Sequence, residues 1–167
     1  PPAPIDDFVQ IFREDEQAAL DSITAEQEYG LRLFIGEGQC HLCHSGALFS
    51  DSQFHNVGLP PTTFTDPDDL GRYQGIESVV SHPFNQAGEW SDDPRGEQAE
   101  QLSRILVTSE DLGRYKTPSL RQVVHSAPYM HTGQFESLFE VFLHYSNPSF
   151  EPVQGHTEDF LTPLAWG

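Results

Sequence analysis

The stretch Cys40-His41-Leu42-Cys43-His44 decides the fold, and it contains both cysteines of the chain. The spacing C-x-x-C-H is typical of covalent haem attachment, in which each thiol bonds one vinyl group and the following histidine binds the iron. A structural zinc site needs four ligands, usually from two such pairs, and a redox dithiol or structural disulfide does not need the histidine. The motif therefore predicts one haem c, bound through Cys40 and Cys43, with His44 as its proximal ligand.

Length and composition set the class of protein. The 167 residues fit one domain, and thirteen Gly with thirteen Pro favour a loop-rich fold around a cofactor. No apolar run reaches about 18 residues, so we expect no transmembrane helix. The opening Pro1-Pro2-Ala3-Pro4 has neither the charged n-region nor the apolar h-region of a signal peptide, so we expect the leader to be absent or removed. Because haem is attached to cysteines outside the bacterial cytoplasm, we expect a periplasmic protein.

The charge of the chain narrows its partners. The formal net charge is −18, with only eight Lys and Arg residues. Such a surface repels nucleic acid and anionic membranes, so neither is expected as a partner. Docking to a basic redox partner protein and simple solubility explain the acidity equally well.

The sequence pattern predicts a mainly α-helical, cytochrome c-type haem domain with long irregular loops and few or no strands. We expect residues 1–6 to form a tail or linker and residues 7–167 a single domain. Residues 7–20 have apolar positions at helical spacing and predict an amphipathic helix. The polar, acidic segment 86–100 predicts a loop.

Two capping-box patterns mark helix starts. Thr24 and Gln27 open a helix that is expected to end at Gly36 or Gly38. The same pattern at residues 137–140 opens a later helix. The apolar face of that helix consists of Leu138, Val141, Phe142 and Tyr145.

The sequence Asp-Leu-Gly-Arg-Tyr occurs twice, at residues 69–73 and 111–115. A repeated segment of this kind can indicate an internal duplication. The flanking residues do not match, so we interpret the two copies as similar turns.

The second axial position of the iron decides what the haem can do. A filled position favours electron transfer, whereas an open one admits peroxide or oxygen. Met130, the single methionine, and Tyr145, on the apolar helix face, are both candidates. The remaining candidates are histidines: His55, His82, His125, His131, His144 and His156. Periodicity alone does not choose between Met130 and Tyr145.

Several motifs together resemble one family, the bacterial dihaem cytochrome c peroxidases and the related MauG proteins of methylamine utilisation. The densest match contains Lys-Thr-Pro-Ser-Leu-Arg and Ala-Pro-Tyr-Met-His-Thr-Gly. The matching segments keep the family's order: 40–46, 54–58, 69–72, 83–85, 91–92, 116–121, 127–133 and 138–145. They resemble only the C-terminal haem domain, in a MauG-like form. Family members usually carry two C-x-x-C-H motifs, and this chain has one.

The resemblance implies a specific pair of iron ligands. The motif cysteines would hold the haem and His44 would be the proximal ligand. The family's sixth ligand lies fourteen residues after the histidine of a Tyr-x-His-x-Gly turn, and counting from His131 reaches Tyr145. Peroxidases proper tend to have Met there and MauG-like members Tyr, which favours Tyr145 over the alternative Met130. A phenolate ligand should lower the reduction potential relative to a thioether.

The resemblance implies further binding groups. A calcium ion between the family's two haem domains would here take backbone carbonyls of Ser126 and Pro128. Its other ligands would come from the second haem domain. Arg121 and Lys116 are expected partners of the haem propionates, with ordinary surface salt bridges as the alternative.

The resemblance implies an oxidoreductase that uses peroxide as oxidant. The haem of this chain would relay electrons or oxidising equivalents to a second haem, in a missing N-terminal half or a separate chain. A redox partner protein would supply electrons or be oxidised. The alternative is a stand-alone monohaem cytochrome c that transfers electrons without catalysis. A third hypothesis is a five-coordinate peroxidase or sensor, in which Tyr145 is an ordinary core residue.

Overall fold

The computed structural model describes residues 3–59, 69–146, 155–158 and 161. The chain forms two compact units that divide between Leu42 and Cys43, inside the C-x-x-C-H motif. Within the described residues there are six α-helices and one two-stranded sheet, which confirms the mainly α-helical class. None of the described helices is long and apolar enough to cross a membrane. The single domain expected over 7–167 stays a prediction.

The first unit begins with three short helices. They are α1 Pro4–Phe12, α2 Glu16–Asp21 and α3 Ala25–Ile35. Helix α1 starts within residues 1–6, which were expected as a tail. The single helix predicted over 7–20 is wrong, because Asp15 caps a new helix by accepting a hydrogen bond from Ala18 N at 3.0 Å. Helix α1 packs on α2, and Phe8 is buried.

The predicted capping box at the start of α3 is confirmed. Thr24 Oγ1 accepts from Gln27 N at 3.2 Å, and Gln27 Oε1 accepts from Thr24 N at 2.8 Å. Helix α3 ends at Ile35, directly before Gly36. A Cβ atom at Gly36 would lie 2.6 Å from Arg32 O, so only glycine fits there. A short 3-10 turn, Cys40–Leu42, follows and carries the first part of the haem motif.

The second unit combines short elements with long connections. Its elements are β1 Phe54–His55, α4 Arg72–Ser81, α5 Glu97–Ser103, β2 Tyr115–Lys116 and α6 Leu138–Ser146, with 3-10 turns at Ser109–Asp111 and Val123–His125. The two strands pair antiparallel, with Phe54 opposite Lys116. The prediction of a loop throughout 86–100 is wrong at its end, where α5 begins, because Glu, Gln, Ala and Leu are good helix formers.

The two Asp-Leu-Gly-Arg-Tyr segments lie against each other. Arg72 N donates to Arg114 O at 2.8 Å, and Gly113 N donates to Leu70 O at 3.2 Å. Arg72 Nε also donates to Asp111 Oδ1 at 2.8 Å. The two similar turns are therefore a paired unit that fixes the start of α4 beside the 3-10 turn before β2.

The second predicted capping box is confirmed at α6. Glu140 N donates to Ser137 Oγ at 3.3 Å, and Ser137 N donates to Glu140 Oε2 at 2.8 Å. His144 is buried, and its Nε2 donates to Val57 O at 2.8 Å, which ties α6 to the segment after β1. Asn147-Pro148, which the sequence predicts as the end of this helix, lies outside the described residues.

Candidate haem site

His44, the predicted proximal ligand, has an oriented ring. His44 Nδ1 lies 2.9 Å from Phe49 O. A carbonyl oxygen only accepts, so Nδ1 carries a proton, and in the neutral ring the lone pair is therefore on Nε2. Metal-binding histidines in proteins usually donate their second N–H to a carboxylate, a backbone carbonyl or water. The donor set of His44 therefore fits an axial iron ligand bound through Nε2.

The loop after His44 is held by the segment that follows β2. Ser50 Oγ donates to Thr117 O at 2.8 Å, and Thr117 N donates to Gln53 O at 2.9 Å. Ser119 Oγ donates to Leu48 O at 2.6 Å. The Lys-Thr-Pro-Ser-Leu-Arg segment thus fixes the backbone that presents the Phe49 carbonyl to His44.

Neither motif cysteine forms a disulfide, and both are half-buried. In the first unit, Cys40 Sγ donates to Gly38 O at 3.4 Å. Burial raises the pKa of Cys40, although its backbone hydrogen bond acts in the opposite direction. The Cys40 thiol is therefore protonated at neutral pH and available for thioether formation, in which a thiol adds to a vinyl group.

A polar cluster lies beside Cys43 in the second unit. Sγ of Cys43, a carboxylate oxygen of Asp51 and a ring nitrogen of His55 lie within 4.8 Å of one another. His55 Nε2 is 2.7 Å from Asp51 Oδ2, and His55 Nδ1 is 3.3 Å from Glu158 Oε1. Because attachment of haem would turn the Cys43 thiol into a thioether, we interpret the cluster as a polar network around His55 and not as a metal site.

The charge of Asp51 is stabilised within this cluster. Burial alone would raise the pKa of Asp51, but hydrogen bonds from His55, the Gln53 backbone and Thr117 outweigh it and lower that pKa. Asp51 is therefore a carboxylate at neutral pH. It lies four residues before His55, so the cluster connects β1 to the chain just after the haem motif.

The two leading candidates for the sixth ligand lie on different elements. Tyr145 is half-buried in the last turn of α6, with its ring 5.4 Å from that of His144. Met130 is half-buried in the turn after residues 123–125 and adopts φ of +68°. Of the apolar face predicted for α6, Phe142 is exposed on 55% of its surface. Tyr145 as sixth ligand stays a prediction.

Of the six candidate histidines, His55 belongs to the Asp51 cluster, and three others have defined partners elsewhere. The ring of His131 stacks on Tyr115 at 3.5 Å, and His82 Nδ1 accepts from Phe84 N at 3.2 Å. Burial lowers the pKa of His131, partly offset by Asp69. The buried His144 uses its Nε2 on a backbone carbonyl. His125 and His156 are exposed.

The other predicted binding residues are placed as follows. Arg121 Nε donates to Ala47 O at 2.8 Å, so its side chain reaches the loop after His44. Lys116 is exposed on β2, and Ser126 and Pro128 are exposed in the turn after residues 123–125.

Sequence reasoning missed the role of the Phe49 carbonyl and the Asp51 cluster. A four-residue spacing from Asp51 to His55 was the available signal for the cluster.

Comparisons with known proteins show which family the chain resembles. A scan against protein-family models finds no match. The chain is 35% identical over 133 residues to cytochrome-c peroxidase IdrP1 of Pseudomonas sp. (strain SCT), which covers 78% of this chain and 32% of that protein. It is 32% identical over 126 residues to the methylamine utilization protein MauG of Methylorubrum extorquens, covering 74% of this chain and 26% of MauG.

A solved structure supports the fold. A variant of the diheme peroxidase BthA from Burkholderia thailandensis superposes with a TM-score of 0.52 at 19% identity, over 86% of this chain and 33% of that one. The fold is that of a cytochrome c-type domain, and the chain carries the C-x-x-C-H motif. The chain belongs to the bacterial dihaem cytochrome c peroxidase and MauG family. It spans about a third of the length of the curated relatives it matches.

Proposed function

We propose that this chain is the haem c domain of a peroxidase or MauG-like oxidoreductase, equivalent to the C-terminal half of its relatives. The observation that carries the proposal is His44 within C-x-x-C-H, its Nδ1 proton directed at the Phe49 carbonyl. The haem, when bound, supplies a one-electron redox centre. In the intact unit it would exchange electrons or oxidising equivalents with a second haem for peroxide-dependent oxidation.

The residues of this chain have distinct roles in the proposal. Cys40 and Cys43 would hold the cofactor covalently, so that it does not dissociate from the chain. His44 Nε2 binds the iron, and the Phe49 carbonyl fixes its ring and tautomer. Buried side chains of the second unit are few within its described residues, so an apolar cofactor would add to its core. They are Asn56, Ile76, Ala99, Leu102, Asp111, Thr117 and His144.

Tyr145 is the proposed sixth ligand. Its support is the fourteen-residue spacing from His131 and its half-buried place on α6. Met130 is the alternative. A phenolate stabilises oxidised iron, so tyrosine ligation favours oxidation of a partner protein over simple electron transfer.

The remaining parts of the proposal concern a calcium ion, the haem propionates and the partner proteins. A calcium ion would use the backbone carbonyls of Ser126 and Pro128, and Arg121 and Lys116 would face the propionates. The partners would be a second haem domain and a redox protein, in the periplasm. The charge of −18 favours a basic redox partner, because opposite charges raise the rate of encounter.

Electron paramagnetic resonance of the ferric, haem-loaded chain tests the ligand assignment. We expect a low-spin signal, since both axial positions are filled. Tyr145→Phe should convert it to high spin, and Met130→Leu should leave it unchanged. Conversion by Met130→Leu alone would assign the thioether instead. A high-spin signal from the unsubstituted chain would mean an open iron and would support the five-coordinate hypothesis.

A haem count on protein purified from its own organism separates relay from stand-alone function. Two haems per molecule or complex, with peroxide-dependent oxidation of a reduced donor, are the expected results. One haem per molecule and no reaction with peroxide would establish the alternative, a monohaem electron-transfer cytochrome. The net charge of −18 is compatible with this alternative too, since it also suits a freely diffusing carrier.

A further inference from the structure

The ring of His44 is oriented by a residue with an unusual backbone. Phe49, whose carbonyl accepts the Nδ1 proton, adopts φ of +50°. This left-handed region is disfavoured for a bulky side chain. Phe49 N donates to Gly46 O at 3.0 Å, so the turn is closed locally. A conformation of this kind persists when surrounding contacts hold it in place.

Arg121 contacts the turn at two points. Its Nε donates to Ala47 O at 2.8 Å. Its guanidinium carbon lies 5.2 Å from the centre of the Phe49 ring, within range for a cation–π contact. One side chain therefore holds the backbone two residues before Phe49 and also the ring of Phe49 itself.

The backbone around Arg121 is anchored to the same turn. Ser119 Oγ donates to Leu48 O at 2.6 Å and accepts from Arg121 N at 3.1 Å. The carbonyls of the two residues preceding Phe49 are thus both bound from one short segment. This leaves the Phe49 carbonyl a narrow range of directions.

We propose that Arg121 is a positioning residue for the proximal histidine, acting through Phe49. Arg121 fixes the left-handed turn, the turn fixes the Phe49 carbonyl, and the carbonyl fixes the Nδ1–H of His44. This inference rests on the proposed function, because it assumes that His44 Nε2 binds the iron. It is separate from any contact between Arg121 and a propionate.

The consequence is an effect on the electronic character of the iron ligand. A short, aligned bond from Nδ1–H to a carbonyl makes the opposite ring nitrogen more basic and holds the ring plane. Loss of Arg121 should let the turn relax and lengthen that bond. The Nδ1 proton of His44 would then exchange with solvent more rapidly.

The test uses the full, haem-loaded chain in its reduced state, with exchange of the His44 Nδ1 proton followed by NMR. In Arg121→Gln we expect exchange about tenfold faster, the factor expected for loss of roughly one hydrogen bond. Arg121→Lys keeps a positive charge and one donor group, so it should restore part of the protection. Arg32→Gln is the matched control, since exposed Arg32 pairs with Glu28 on α3.

The outcomes separate the inference from the proposed function. Unchanged exchange in Arg121→Gln, or equal acceleration in Arg32→Gln, would overturn the inference while leaving the haem assignment intact. A wild-type chain that acquires no covalent haem would overturn the proposed function instead. If Arg121→Gln does not fold, Phe49→Leu removes the ring contact and keeps the carbonyl. Faster exchange there supports the inference, and unchanged exchange overturns it.

Discussion

His144 provides a direct test of how α6 is held. Its side chain is only 8% exposed, and its Nε2 donates to Val57 O at 2.8 Å. His144→Phe keeps a ring of similar size but removes the donor. The substitution loses a hydrogen bond and leaves a carbonyl without its partner, which together cost about 1–3 kcal/mol of unfolding free energy. Because the next residue is Tyr145, the proposed sixth ligand, the low-spin signal of the ferric haem should also weaken.

Urea unfolding of the haem-loaded chain measures the effect. We expect a lower midpoint at an unchanged slope, since the surface exposed on unfolding stays the same. His144→Gln retains an N–H donor and should recover part of the loss. His125→Phe, at an exposed histidine, is the control and should change stability by less than about 0.5 kcal/mol. A loss in His144→Phe no larger than in the control would refute this role of the bond.

The same residue predicts a pH dependence. Burial lowers the pKa of His144, and the hydrogen bond to Val57 only partly offsets it. The folded state thus favours neutral His144, while the unfolded chain binds a proton near pH 6.5. Its contribution to stability is full above about pH 6.5 and declines as pH falls towards the lowered folded-state pKa. His144→Gln should remove this component, and an unchanged pH profile would contradict the assignment.

Two further predictions concern the paired turns. Gly71→Ala should destabilise the chain by about 1–3 kcal/mol in thermal unfolding, because Gly71 has φ of +63° and a Cβ atom would lie 2.7 Å from Arg114 O. Its control is Gly75→Ala on α4, where the new Cβ atom meets open space and should raise the unfolding free energy by at most about 1 kcal/mol. Equal losses of stability in the two variants would contradict this reasoning. Burial would raise the pKa of Asp111, but bonds from Thr108 and Arg72 lower it. Acidification below about pH 4 should therefore cost stability in the unsubstituted chain and less in Asp111→Asn.

Local signals predicted the helices that carry their own caps. The pairs Thr24–Gln27 and Ser137–Glu140 mark the starts of α3 and α6 because capping boxes use residues three positions apart. Helix α4 was not predicted. It begins after Gly71 with no side-chain cap and contains Gly75 and adjacent valines, so its local preference for helix is weak.

The candidate haem site likewise has one part that the sequence predicts and one part that it does not. The motif predicts His44 as the proximal ligand, because thioether chemistry fixes the spacing. The direction of its ring does not, since it depends on Phe49 adopting a left-handed conformation held by Arg121 across seventy-two positions. The pairing of the two Asp-Leu-Gly-Arg-Tyr turns was equally hidden, because the contact of Arg72 with Arg114 exists only in the folded chain.

Covalent attachment of one haem through Cys40 and Cys43 is the central claim. The most direct measurement is the intact mass of the denatured chain after production with a c-type haem maturation system. We predict a mass equal to the polypeptide plus one haem, and loss of that addition in the double variant Cys40→Ser and Cys43→Ser. An unmodified mass for the unsubstituted chain, or haem that separates on denaturation, would contradict the assignment.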